Sequence, residues 1–363
     1  DIVIHRRSED LVGATFGRGI YVLDDYTSLR HLDDNTLAAD ATVFPVRDAW
    51  FYVPHQTAQA EGQPTLGSTA FAAKNPDPGA CFTYHLAADV LSLKQQRHEI
   101  ERAAADGHED IDWPGWPALW DEHTTTDPRV FLIVRDTNGD IVRRLDGETK
   151  AGLHRTTWDL RLAAPHPVML EKPAFREPWE NEPRGPLVAP GTYSVEIVQV
   201  DAQTTTQLTE PQQFFVKPTP AVAAQPDLAE SAAFNQQVWR LHHQVLHSEK
   251  QLSDVQKRLN EQRAEIAIAP EATADQFAAI ENTQVRLHEL RRELKGDPTR
   301  EQLHEAQPPS ILGLIGRIAG HLWDTTQAPT AAQRAMFSAA TERFDAYTHD
   351  FAQIDLDYYL GAE

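Results

Sequence analysis

A chain of 363 residues and 40.7 kDa is too long for one core at ~100 to 200 residues per domain, and its 41% hydrophobic and 24% charged residues are ordinary globular composition. With 54 acids against 33 Lys and Arg the formal charge is -21, which argues against a phosphate backbone or an anionic lipid surface as partner. No apolar run approaches the ~18 to 20 residues that cross a bilayer, Asp1 opens directly in a strand-like segment without signal-peptide architecture, and one cysteine, Cys81, provides neither a disulfide framework nor a multi-cysteine zinc site.

The first 25 residues read as short strands, with Leu11 to Thr15 and Gly19 to Leu23 separated by a turn at Phe16-Gly17-Arg18. Glycines flank Arg18 because a tight reversal needs positive φ. So few strands cannot bury a face of their own and must belong to a larger sheet. From Ala41 to about Pro220 the signals are strand and turn: Thr42 to Val53, Cys81 to Leu86, Val130 to Arg135, Ile141 to Leu145, His154 to Leu162, Tyr193 to Val200 and Gln212 to Val216. Asp136-Thr-Asn-Gly-Asp140 joins two of them as a hairpin turn. About seven such strands predict an immunoglobulin-like β-sandwich. Its pattern is interrupted at 91–127 by a helical insertion carrying the aromatic, proline-rich run Trp113 to Trp120.

Past Pro220 the period becomes 3.6. Val238, Leu241, Val245, Leu252, Val255, Leu259 and Ile266 mark a long amphipathic helix behind a capping box at Asp227 and Glu230, stopped by Pro270. Phe277, Ile280, Leu287, Leu290 and Leu294 mark a second helix, closed at Gly296. Phe337, Ala340, Phe344, Tyr347, Phe351, Ile354 and Tyr358 mark a third, behind a Thr330–Gln333 cap. Three stripes need one another, so the expectation is an antiparallel helical bundle, with 308–323 a connector carrying a short helix. The expected division is 1–40 for the opening strands, 41–222 for the sandwich with its insertion, and 223–363 for the bundle.

The chemistry-bearing patterns are sparse. His243 and His247 share a helical face, but a zincin needs Glu after the first His, and Gln244 stands there; a solvated helix face is the reading. Gly13, Gly17 and Gly19 precede a strand rather than a helix and lack the Lys-Ser/Thr of a phosphate loop. Carboxylates cluster at Asp24–Asp25, Asp33–Asp34, Glu109–Asp110–Asp112 and Asp355–Asp357, but strand neighbours point to opposite faces and an acidic chain makes such pairs freely. Cys81 lies in a strand, where a packed thiol is expected. No catalytic residue, metal site or cofactor is assigned. Trp113, Trp116 and Trp120, with Trp50, Phe51 and Tyr52 in an earlier strand, form the one feature suited to binding: indoles either pin an insertion to a neighbouring domain or stack on a sugar or peptide.

The string Asp10-Leu-Val-Gly-Ala-Thr-Phe-Gly-Arg-Gly-Ile-Tyr-Val-Leu-Asp-Asp25 resembles the last-blade motif of large bacterial VPS10/sortilin-like β-propeller proteins with BNR-type repeats, often labelled glycosyl hydrolases. Phe16 stands for the usual His and Tyr21 for the usual Trp. The likeness continues through Asn75 to Gly79, Arg135 to Arg143, Gly152 to Arg161, Pro190 to Tyr193 and Pro308 to Thr330, in the family's order. The middle is similar to immunoglobulin-like domains of FlgD type, whose hairpin, Trp-Asp and Gly-Thr-Tyr strings recur here. The resemblance implies the C-terminal part of a longer, exported protein, periplasmic or extracellular, beginning within its final propeller blade. It implies a non-catalytic structural and interaction module, with the preceding propeller polypeptide as partner and self-association through the bundle. The alternative is an accessory portion of a glycan- or peptide-processing enzyme whose catalytic residues lie in the propeller. The Asp-box of that class is missing from this sequence, and Arg18 with Asp24 or Asp25 would then be the residues placed to meet a glycan or peptide.

Overall fold

The protein, seen as a computed structural model, is described over residues 1–54, 73, 76–168, 182–202, 204–225 and 227–354. It is a multidomain fold of mixed sheets and helices in two compact units, Asp1–Leu160 with Pro190–Ala223, and Arg161–Ala189 with Ala224–Glu363.

The first unit opens with an antiparallel meander, β1 (Ile2–His5), β2 (Asp10–Thr15) and β3 (Gly19–Leu23). Its turn is the expected one: Gly17 and Gly19 take φ of +73° and +113°. Cross-strand register sets Val3, Val12 and Val22 side by side on one face and Ile4, Leu11 and Leu23 on the other. Both faces are therefore apolar, and both are open: Ile2 is 78% exposed and Ile20 72%.

After a short α1 (Asp34–Ala38), capped reciprocally by Asp33 and Thr36, the predicted strand 42–53 divides. β4 (Ala41–Val43) pairs antiparallel with β6 (Ala80–Leu86), whereas β5 (Ala49–Phe51) pairs parallel with β12 (Gln212–Pro218). Pro45 lies between them, and a residue without an N–H cannot continue a ladder. The chain thus passes from one sheet to the other. The sheet β4–β6–β9, with β9 (Gly152–Trp158), and the sheet β5–β12–β10–β7–β8 account for every strand run foreseen in 81–216. In the second, β7 is Arg129–Arg135, β8 is Ile141–Gly147, β10 is Gly191–Val200, and β11 (Thr205–Gln207) pairs with β10; a short α4 (Pro220–Ala223) follows β12.

The two sheets meet through aromatic edges. Phe82 of β6 lies 5.3 Å from Phe214 of β12, and Trp158, fully enclosed, packs edge-on against Tyr193 at 5.5 Å and Phe214 at 6.2 Å. The same burial pushes the Tyr193 phenol up to about 12. The Asp136–Asp140 hairpin forms as foreseen: the Asp136 carboxylate accepts from the Asn138 and Asp140 amides, and Gly139 takes φ +86°. Strand β9 stops at Trp158, four residues short of the predicted end, because Leu160 turns left-handed at φ +58° and sends the chain into the second unit. The described residues 161–168 and 182–189 group with the helices rather than with the two sheets.

In the second unit α5 (Leu228–Ile268), α6 (Ala274–Lys295), α8 (Ile311–Leu322) and α9 (Ala331–Ala352) share one core, with α7 (Pro298–Gln302) a short connector. Lys295 meets Glu249 at 2.6 Å and Arg263 meets Glu281 at 3.1 Å, so α6 runs back along α5. The apolar stripes of the long helices are buried as their spacing requires, except at Phe277 in the first turn of α6, which stays exposed, and the Thr330–Gln333 capping box is present. Tyr358 and the Asp355–Asp357 pair lie outside the described residues. Two expectations change. Asp227 takes φ +66° and its side chain caps nothing, although its carbonyl starts α5 by accepting from Ser231. The 308–323 connector is a full core member: α8 buries Ile311, Leu314, Ile315, Ile318 and Leu322.

One polar group in this core has a measurable consequence. His242 of α5 is buried beside Trp323 and His166, and its Nδ1 has no hydrogen-bond partner. Burial, with a smaller repulsion from His166, holds the imidazole at about 4. An unfolded chain takes that proton near pH ~6.5, so between these values the unfolded state binds more protons and stability falls as pH falls. Going from pH 7 to pH 5 is expected to cost about 2 kcal/mol through this group. Urea midpoints of the chain and of His242→Leu at both pH values check it; equal pH slopes would refute it.

Candidate functional site

The described residues place the three candidate tryptophans on one projecting helical hairpin of the first unit. α2 (Leu93–Asp106) starts at a Ser92–Gln95 capping box, and α3 (Gly115–Thr124) starts after Pro114, with Gly115 at φ +82°. Neither helix buries a single side chain. What joins them is Arg97, whose Nε and terminal nitrogen donate to the two Glu122 carboxylate oxygens at 2.6 and 3.0 Å while the same guanidinium reaches Glu101. That fork holds the Glu122 carboxyl below the usual carboxylate range. Ser92, Lys94, Gln95, Arg97, Leu119 and Glu122 line an open polar cleft beside it.

None of the three indoles lines that cleft. Trp113, Trp116 and Trp120 are 65%, 76% and 66% exposed, so they pin nothing within the unit. Trp113 and Trp116 meet edge-to-face at 5.5 Å, and Trp120 lies 6.3 Å from the His123 ring. At the end of β5 and just beyond it the aromatic trio alternates: Phe51 is buried, whereas Trp50 and Tyr52 are exposed and line a shallow apolar hollow with Thr219 and Pro220.

Arg18 and the Asp24–Asp25 pair are not brought together. Arg18 is exposed at the tip of the β2–β3 turn, and the aspartates lie beyond the other end of β3, some ~15 to 20 Å along the strand. Asp25 is buried, at φ +47°, with its carboxylate accepting from the Thr27 amide and hydroxyl and its own amide donating to Asp10 Oδ1 at 3.0 Å. Arg155 of β9 donates to the Asp24 carbonyl at 2.7 Å and to the Asp25 carbonyl. These aspartates tie the meander to the β4–β6–β9 sheet. Nothing in the sequence marks Arg155 or Asp10 for this role, because Asp10 meets the pair through the β2–β3 register and Arg155 reaches it from a separate sheet.

The remaining candidates are structural. Asp33 is the α1 cap, held below the ordinary carboxylate range by the Thr36 amide. The His243 and His247 rings stack at 6.2 Å on α5, and among the described residues no group of three or more His, Cys, Asp or Glu could hold a metal. Cys81 sits in β6 with its thiol pushed up by burial, the opposite of an activated nucleophile. Among the described residues no helix is long and apolar enough to cross a membrane. Comparison with protein-family models, curated proteins and solved structures returned no match.

Proposed function

We propose that this chain is a non-catalytic structural and interaction module, the C-terminal part of a large exported propeller protein. In this reading β1–β3 completes a final propeller blade, β4 to β12 form an immunoglobulin-like sandwich of FlgD type with α2–α3 inserted, and α5, α6, α8 and α9 form an antiparallel bundle. The observation that carries it is the meander with two apolar, uncovered faces. A three-stranded sheet that covers neither face loses the burial that offsets its ordering cost, and stacked neighbouring sheets supply both covers at once. The inward, hydrogen-bonded Asp25 supports a bracing role for this stretch over a substrate contact. The face-to-face aromatic sheets and the shared helical core support the other two assignments.

The test is amide hydrogen exchange on the chain alone and on the chain joined to the polypeptide its gene encodes ahead of Asp1. The β1–β3 amides should exchange at least about 100-fold faster than those of β7 and β10 in the chain alone, and become protected in the longer protein. Equal protection in the chain alone, or a gene encoding no blade-like strands ahead of Asp1, would end this reading.

A further inference from the structure

We propose that the α2–α3 hairpin is a docking face for a basic, arginine- or lysine-rich segment of a protein partner, received on Trp113, Trp116 and Trp120. This goes beyond the bracing role of β1–β3 and stands or falls separately from it.

Three observations converge. First, two short helices that bury no side chain have little to hold them but the Arg97–Glu122 fork, and isolated helices of this length are marginal in water. A partner lying on their aromatic side would supply the missing burial. Second, the three large rings follow one another at spacings of three and four and stay solvent-exposed, the arrangement of an anchor set without its partner. Third, the charge around them is mostly negative. Residues 91–127 hold nine Asp and Glu against three Lys and Arg, and one of the three, Arg97, is already engaged by Glu101 and Glu122. Glu109, Asp110 and Asp112 run directly into Trp113, and Asp121 follows Trp120.

Indole faces beside carboxylates suit a cation on both counts. The ring quadrupole attracts a guanidinium or ammonium over its face, and a neighbouring carboxylate takes the N–H donors. A neutral glycan could stack on the indoles, but the surplus carboxylates would add nothing specific to its binding, and an anionic ligand would be repelled. The -21 chain as a whole also speeds the approach of a basic partner.

The full chain, with its eight tryptophans carrying ¹⁵N in the indole ring, is titrated with a peptide of Arg-Gly-Gly repeats and separately with cellohexaose. The peptide should shift the indole resonances of Trp113, Trp116 and Trp120, identified by single Trp→Phe variants, and leave those of Trp158 and Trp323 in place. Affinity should fall about tenfold in W116A/W120A and about fivefold in D110N/D112N, with melting temperature unchanged because all four side chains are exposed. Peptide binding that is equal in W116A/W120A is the general attraction of an acidic chain and overturns the proposal. So does a shift of these resonances by cellohexaose alone, and so does the lack of any shift below millimolar peptide.

Discussion

Trp158→Ala is expected to destabilise the sheet-bearing unit by about 3 to 5 kcal/mol. The side chain has no exposed surface, and its ring bridges the two sheets by edge contacts to Tyr193 and Phe214. Its backbone matters as well: Gly79, at φ +138°, passes so near that a Cβ there would stand 1.9 Å from the Trp158 carbonyl oxygen. The neighbourhood cannot collapse around a cavity without moving that crossing. Truncation therefore removes transfer free energy, aromatic contact and packing on both sheets together. Amide exchange in β7 and β10 should accelerate by about two to four orders of magnitude, while the amides of α5 and α9 keep their protection. Trp158→Phe retains a ring at the junction and should lose less than half as much. A loss under about 1 kcal/mol in the Ala variant would show that the sheets are held by something other than this junction.

The elements that could be read from sequence are those whose signal is local. Asp136 to Asp140 carries its whole turn within five residues, including the carboxylate that ties it, and the helical stripes state their own buried face. What could not be read depends on which element covers which. Periodicity shows that α8 has an apolar face but does not show that it enters the core, and the run 42–53 looks like one strand because the sheet change at Pro45 is decided by β6 and β12, far along the chain. The site candidates follow the same division. The tryptophans were visible by composition, yet their exposure depends on what packs beside them. Asp25 looks available beside Asp24 in the sequence and is enclosed in the structure, because its partners Asp10 and Arg155 come from other segments of the chain. Arg161 was hidden inside a predicted strand.

Arg161 is the residue whose loss should most loosen the second unit. Its buried guanidinium donates to the Gly185 carbonyl at 3.0 Å, to the Trp323 carbonyl at 2.8 Å and to Asp324 Oδ1 at 3.3 Å, so one side chain joins both described ends of 161–189 to the end of α8. Trp239 of α5 adds a bond from its indole to the Ala163 carbonyl at 2.8 Å, and Arg184 reaches Asp324 at the same distance. Arg161→Met fills much of the volume but leaves two enclosed carbonyls without their donor, and each such loss costs about 1 to 3 kcal/mol. The variant is expected to be about 3 kcal/mol less stable in this unit. Arg161→Lys should recover only part of it, since an ammonium cannot span the planar fork. Asp324→Asn should matter far less, because that carboxylate is half exposed and solvent screens the pair. The Leu162 amide, bonded to the Pro186 carbonyl at 3.0 Å, is the reporter. Its exchange in Arg161→Met should quicken by about 100-fold. A change within threefold would mean that residues 161–168 and 182–189 hold their place without the arginine, and that the helices, not this clamp, set the unit's stability.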